Sequence, residues 1–232
     1  MRKILGCIKR AQAQFGMIQE NDVVAVGCSG GKDSMVLLHA LHLYQYFSDV
    51  NYTLKAVTMD MGFPQQDLSP ISQFCLERQI EHIIKKTNLS AVIFEERKES
   101  NPCSLCARMR RGCLNNMCEE NGISKLALGH HGDDLLETFF LNMFYEIRLS
   151  TFSPVTEFER TSTIMIRPLL YATEEDVSKA AINNNIPIIP NPCPVSGHTK
   201  RDLAKKIIAD IEEQLPGSRL HMIHALCYSD IM

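Results

Sequence analysis

No window of the 232-residue chain approaches 18 uninterrupted apolar residues, which excludes a helical membrane span. A basic surplus is also missing. The 24 Lys and Arg against 27 Asp and Glu leave a net charge of −3, so contact with nucleic acid would have to rest on local patches. Internal repeats, low-complexity tracts and Pro-rich linkers are absent. The first ten residues carry charges on both sides of their few apolar positions and do not read as a secretory signal. The expectation is a cytoplasmic protein. In that setting nine cysteines, an odd number, are metal ligands, redox groups or buried apolar residues, not a disulfide frame.

What is present is ordinary globular composition, 45% hydrophobic and 22% charged, which excludes disorder. The length suits one domain over 1–232, with an N-terminal helix inside 1–20 and a helical C-terminal appendage over 198–232. Apolar periodicity predicts helices over Lys3–Phe15, Asp33–Phe47, Ser69–His82, Cys103–Glu120, Asp133–Tyr145, Thr173–Asn184 and Thr199–Leu215. Short apolar runs predict strands over Val23–Cys28, Tyr52–Met59, 83–86, 91–95 and Lys125–Leu128, with Ile186–Ile189 extended. The alternation implies an α/β fold, a five-stranded mostly parallel sheet with helices on both faces. Ligands of such sheets bind at the carboxyl ends of the strands, so the loops after Cys28, Met59 and Leu128 carry the information.

The first of these loops reads Ser29-Gly30-Gly31-Lys32-Asp33-Ser34 and opens a helix. Two glycines let the backbone approach an anion closely, and the helix start offers free N–H groups. Ser29 and Ser34 add hydroxyls and Lys32 a positive charge. The pattern is not a Walker A loop. It resembles the SGGxDS loop of the PP-loop ATP pyrophosphatases, which share an adenine nucleotide alpha hydrolase-like, Rossmann-like fold. The resemblance implies ATP cleaved between its α and β phosphates, with Lys32 and Asp33 catalytic and Asp33 helping to organise Mg²⁺. It also places Met59 and Asp60 beside the adenine and ribose. As a plain reading, Asp60 is a turn-capping residue. Gly129-His130-His131-Gly132-Asp133-Asp134 resembles the family's G-H-x-x-D-D element. Its carboxylates either hold Mg²⁺ or cap the helix that starts there. Arg167-Pro168-Leu169 resembles the family's RPL element, where a cation meets the departing pyrophosphate.

Cys103-Ser104-Leu105-Cys106 lets two thiolates converge at a helix start. Zinc held by Cys103, Cys106, Cys113 and Cys118 fails unless the helix is broken, because Cys106 to Cys118 spans about 18 Å along a helix. PCSLCARMRRGCL, ALGHHGDDLLETFFLNMFY and IRPLLY together resemble the TtcA-type tRNA 2-thiocytidine synthetases. That likeness implies a [4Fe-4S] cluster on Cys103, Cys106 and Cys193, with one iron open to carry sulfide to an adenylated tRNA cytidine. Cys7, Cys75, Cys113, Cys118 and Cys227 read as buried or tolerated cysteines. Expected partners are tRNA, a cysteine desulfurase or free sulfide as sulfur source, and a second copy of the chain. Local basic patches for RNA are Lys9-Arg10, Arg108-Arg110-Arg111 and Lys200-Arg201-Lys205-Lys206. The alternatives are a PP-loop ligase or thiolase acting on a small molecule, and a non-catalytic ATP- or redox-sensing protein.

Overall fold

A computed structural model describes residues 1–97, 102–157, 162–193 and 200–232. Helix α1 (Arg2–Phe15) leads into β1 (Asp22–Gly27), α2 (Lys32–Tyr44), β2 (Tyr52–Asp60), α3 (Ser69–Glu77) and β3 (Glu81–Lys86). A single turn, α4 (Leu89–Ala91), runs into a π-helical segment, Val92–Arg97. Then come α5 (Pro102–Glu120), β4 (Lys125–Ala127), α6 (Gly132–Tyr145), β5 (Val155–Glu157), β6 (Ile164–Ile166), α7 (Glu174–Asn183), α8 (Lys200–Gln214) and α9 (Ser218–Cys227).

Among the described residues the sheet has six strands, not five, in the order β3-β2-β1-β4-β6-β5. All neighbours are parallel except the edge pair β5–β6. The two further strands, β5 and β6, are three residues each; so is β4, but β4 lies in an apolar run closed by Gly129, whereas β5 holds a single apolar residue and β6 runs straight into Arg167-Pro168. The strand expected at 91–95 is helical instead: Val92 and Ile93 belong to one π-helical turn, with Ile93 buried. The helix expected over Ser69–His82 stops at Glu77, and His82 lies in β3. Ile186–Ile189 joins no strand. The helix expected from Thr199 is seen from Lys200, since Thr199 is outside the described residues.

Strand side chains alternate between two faces. Val24, Val26, Leu54, Ala56 and Ala127 join the larger core, which α1, α2, α6, α7 and α9 cover. Ala25, Val57 and Leu126 face the other way, onto Met117 and Cys118 of α5. The division is unequal. α2 is apolar nearly all round and buried, whereas α5 has only Leu105, Met117 and Cys118 buried. On its side of the sheet α5 thus leaves room at the strand ends. Among the described residues no helix is long and apolar enough to cross a membrane.

One glycine sets a close backbone approach. A Cβ on Gly129 would lie 2.8 Å from the carbonyl carbon of Asp33 and 2.9 Å from the Ser34 nitrogen. Gly112, in α5, has nothing within 4 Å of such a Cβ. Gly129→Ala should therefore cost about 1–3 kcal/mol, as overpacking does. Gly112→Ala should add about 0.5–1 kcal/mol through helix propensity. Urea unfolding of the two variants checks the opposite signs.

Candidate active site

The loop between β1 and α2 is tied by its own serines. Ser34 Oγ donates to the Gly31 carbonyl at 3.0 Å and accepts from the Ser29 N–H at 3.2 Å. Ser29 Oγ accepts from the Gly31 N–H at 3.3 Å. Gly30 has φ +84, and a Cβ there would meet Ile189 at 3.0 Å. The Ile189 N–H donates to the Gly30 carbonyl at 2.9 Å, so the extended stretch leading to Cys193 is docked on this loop.

Two cavities open beside it. The first, about 420 Å³, lies between α5 and the ends of β2, β1, β4 and β6. Of the expected nucleotide-binding residues, Ser29, Asp33, Ser34, Met59, Gly129, His130, Asp134 and Arg167 line it. The second, about 400 Å³, is lined by Cys103, Cys106 and Cys193, with Met61, Phe63 and Phe94 as apolar wall. Ser29, Met59, Ala107 and Arg110 line both, so the cavities share a wall. Gly31 lines only the second.

Gly30, Lys32, Asp60 and Asp133 line neither cavity. Asp133 is 4% exposed, with one oxygen accepting from Arg219 at 2.7 Å and the other from the Glu174 N–H at 2.6 Å. It braces the start of α7. Asp60 accepts from the Gly62 N–H at 2.9 Å, the turn-capping role. Lys32 places its ammonium 2.9 Å from Asp33 and 3.1 Å from Glu174. Burial works to raise the Glu174 pKa, but hydrogen bonds from Lys32 and Lys205 outweigh it and hold the carboxyl at about 2.

Glu174 and Glu137 were not singled out in the sequence. Glu137 is 2% exposed, and burial pushes its pKa up against the pull of Lys205 and Arg201. Arg201 Nη1 lies 3.2 Å from Asp134 and 3.3 Å from Glu137, and Lys205 lies 3.1 Å from Glu174. With Lys200 seated 4.1 Å over the Tyr145 ring, three of the four basic residues expected to meet RNA on α8 are engaged internally. Arg10 is likewise stacked 4.2 Å over the Tyr171 ring. No local signal could have shown this, because the partners are far apart in sequence.

Arg167 is 7% exposed. It donates to the Ser153 carbonyl, to Thr156 Oγ1 at 2.9 Å and to His130 Nδ1 at 3.2 Å. Burial, with Arg111 adding, lowers its pKa to about 10. Burial pulls His130 from 6.5 to about 4, and Arg167 adds to that, so His130 is the neutral acceptor. Burial pushes the Cys106 thiol up, while the nearby charge of Arg110 works against that.

Helix α5 is continuous from Pro102 to Glu120, and Cys118 is fully buried against the sheet. The four-cysteine zinc set therefore cannot converge. Among the described residues no three His, Cys, Asp or Glu side chains are placed to hold a single metal ion. Three thiols around one cavity instead suit a multi-iron cluster, whose thiolates bind separate irons.

A PP-loop domain model matches residues 5–209. The tRNA-cytidine(32) 2-sulfurtransferase of Geobacter sulfurreducens is 37% identical over 228 residues, 97% of this chain and 89% of the relative. The chain belongs to this PP-loop family of sulfurtransferases. The tRNA-cytidine(32) 2-sulfurtransferase of Marinobacter nauticus is 40% identical over 225 residues, 95% of this chain and 74% of the relative. Among solved structures, the U34-tRNA thiolase of Methanococcus maripaludis with its [4Fe-4S] cluster has a TM-score of 0.76 at 25% identity, covering 98% of this chain and 80% of that one. An NH3-dependent NAD synthetase from Campylobacter jejuni, at 16% identity and a TM-score of 0.55, shares the fold. The PP-loop family uses ATP with Mg²⁺.

His130 gives a pH test. Its folded pKa of about 4 lies below the unfolded 6.5, so between those values the unfolded chain holds a proton that the folded chain refuses. Its contribution to stability is complete above pH 6.5 and is lost as pH falls through that window, by up to about 3 kcal/mol. His39, also held near 4 by burial, adds to the wild-type slope. His130→Asn keeps an acceptor for Arg167 and should flatten the fall in unfolding free energy between pH 6.5 and 4 by close to one proton. An unchanged slope would contradict the assignment.

Proposed function

We propose that the chain is an ATP-dependent sulfurtransferase that replaces the C2 carbonyl oxygen of a tRNA cytidine by sulfur. The observation that carries this reading is the shared wall: three cysteines line a cavity that adjoins the phosphate-loop cavity at Ser29, Met59, Ala107 and Arg110. Position 32, for which the curated relatives are named, is the acceptor their likeness supports.

The free N–H groups at the start of α2, with Ser29 and Ser34, bind the β and γ phosphates. Asp33 and Asp134 offer the oxygen ligands that Mg²⁺ prefers. Lys32, held by Asp33 and Glu174, keeps the first turn of α2 in place. The cytidine O2 attacks the α-phosphorus, the bond to the bridging oxygen breaks, and pyrophosphate leaves with the electron pair. Arg167 and Arg111 face that departing charge. Hydrosulfide then attacks C2; the C–O bond breaks, AMP leaves with the pair, and a proton is lost. Free sulfide supplies it directly, whereas the persulfide of a cysteine desulfurase yields it only after a thiol reductant has given two electrons and become a disulfide. Cys103, Cys106 and Cys193 would hold the [4Fe-4S] cluster, which when bound offers an iron with a free position for sulfide.

The test uses anaerobically purified protein with Mg-ATP, sulfide and a tRNA transcript. AMP, pyrophosphate and one thiolated cytidine should form in equal amounts. Release of ADP and phosphate would rule out attack at the α-phosphorus, and AMP formation without thiolated tRNA would point to a small-molecule acceptor. Alanine at Cys103, Cys106 or Cys193 should remove iron and thiolation, whereas Cys113→Ala should keep both. Asp33→Ala should keep iron and lose about 10²–10³ in AMP formation, the usual cost of one charge-stabilising group.

A further inference from the structure

Arg110 is the one charged side chain, among the described residues, that lines both cavities. No carboxylate among those residues is paired with it, and its charge acts on the Cys106 thiol one turn away along α5. Grouped in the sequence with Arg108 and Arg111 as an RNA patch, it stands in the wall between nucleotide and sulfur. We propose that Arg110 is a catalytic residue of both half-reactions, its guanidinium contacting the α-phosphate during adenylation and again while sulfur displaces AMP. This rests on the sulfurtransferase reading above.

The argument is one of charge and position. A single phosphoryl group is common to the two steps. It is the electrophile when the cytidine oxygen attacks, with the Pα–O bond to pyrophosphate breaking. It belongs to the leaving group when hydrosulfide attacks C2 and the C–O bond to AMP breaks. Negative charge grows on it both times. In the second step an anion must also approach a carbon that already bears an anionic ester, and that approach is repulsive without a cation between them. Sulfur comes from the cysteine side and the phosphate lies on the other, so the cation has to stand in the dividing wall.

The other basic groups are placed elsewhere. Lys32 lines neither cavity and is paired with Asp33 and Glu174. Arg111 and Arg167 line only the nucleotide cavity, and Arg167 is bound to Ser153, Thr156 and His130. Arg110 keeps donors to spare, and a planar fork suits a phosphate.

Binding comes first, because it needs no turnover. In calorimetry on anaerobically purified protein, Arg110→Ala should weaken AMP binding at least 10-fold, while Arg108→Ala, which lines neither cavity, should change it less than 2-fold. With Mg-ATP, sulfide and saturating tRNA, Arg110→Ala should lose about 10²–10³ in both pyrophosphate release and thiolation. Iron and labile sulfide per chain should stay unchanged. Arg110→Lys should recover part of the rate, and added guanidinium should partly rescue Arg110→Ala. A higher KM for tRNA with unaltered kcat would overturn the proposal in favour of an RNA contact. Loss of iron with AMP affinity intact would overturn it in favour of a cluster-supporting role. A wild type that binds AMP through Arg110 but thiolates no tRNA would count against the sulfurtransferase reading and leave the phosphate contact standing.

Discussion

The backbone at Gly129 lies against the first turn of α2 with no space for even a methyl group, and the rest of the site is assembled around that contact. It brings two carboxyl-end loops together, one from β1 and one from β4, which are adjacent in the sheet. The glycine does not serve a turn here. It lets a second loop reach the first turn of α2, so that Asp33 and Asp134, far apart in sequence, line one cavity. Gly30 is the counterpart on the other side: its left-handed backbone and missing Cβ admit Ile189, and through Ile189 the stretch that ends at Cys193.

A chain of ion pairs surrounds this junction and ties the late helices to it. Lys32 joins Asp33 to Glu174; Lys205 joins Glu174 to Glu137; Arg201 joins Glu137 to Asp134. Glu137, 2% exposed, would be costly to bury unpaired, so α8 is held where its two basic residues answer it. Packing of Ala204 and Ile208 into the main core supplies the apolar part of the same docking. The C-terminal helices thus reinforce the phosphate loop, and the charge on α8 is largely spent before any RNA arrives.

What the sequence made legible follows from the range of each signal. The phosphate loop, the G-H-H-G-D-D loop and the C-x₂-C step are local, and each lies at a strand end or helix start where its spacing placed it. The long helices are legible by their period, and β1, β2 and β4 by their apolar runs. Strands β5 and β6, without a bounded run of their own, are not. Nor was the fate of individual charges. Asp133 and Asp134 are neighbours in one motif, yet one is turned to Arg219 and the start of α7, while the other caps α6 by accepting from the His131 N–H at 3.0 Å and lines the cavity. Lys32 looks like a phosphate ligand until Glu174, 142 residues away, is found beside it.

Helix α5 shows how much one periodicity can hold. Residues three and four apart share a helix face. Cys103, Cys106 and Arg110 follow that spacing, and so do Ala107, Arg110, Arg111 and Leu114. The first set lines the cysteine cavity and the second the cavity beside Gly129 and Asp134, with Ala107 and Arg110 common to both. One continuous stripe therefore begins with thiols, passes through guanidinium groups and ends on apolar residues near the sheet. A helix can carry such a stripe across two cavities because it rises only about 1.5 Å per residue, so thiol and guanidinium stay within one or two turns of each other. The poor burial of this helix, a weakness for the fold, leaves that stripe free to face a ligand instead of a core.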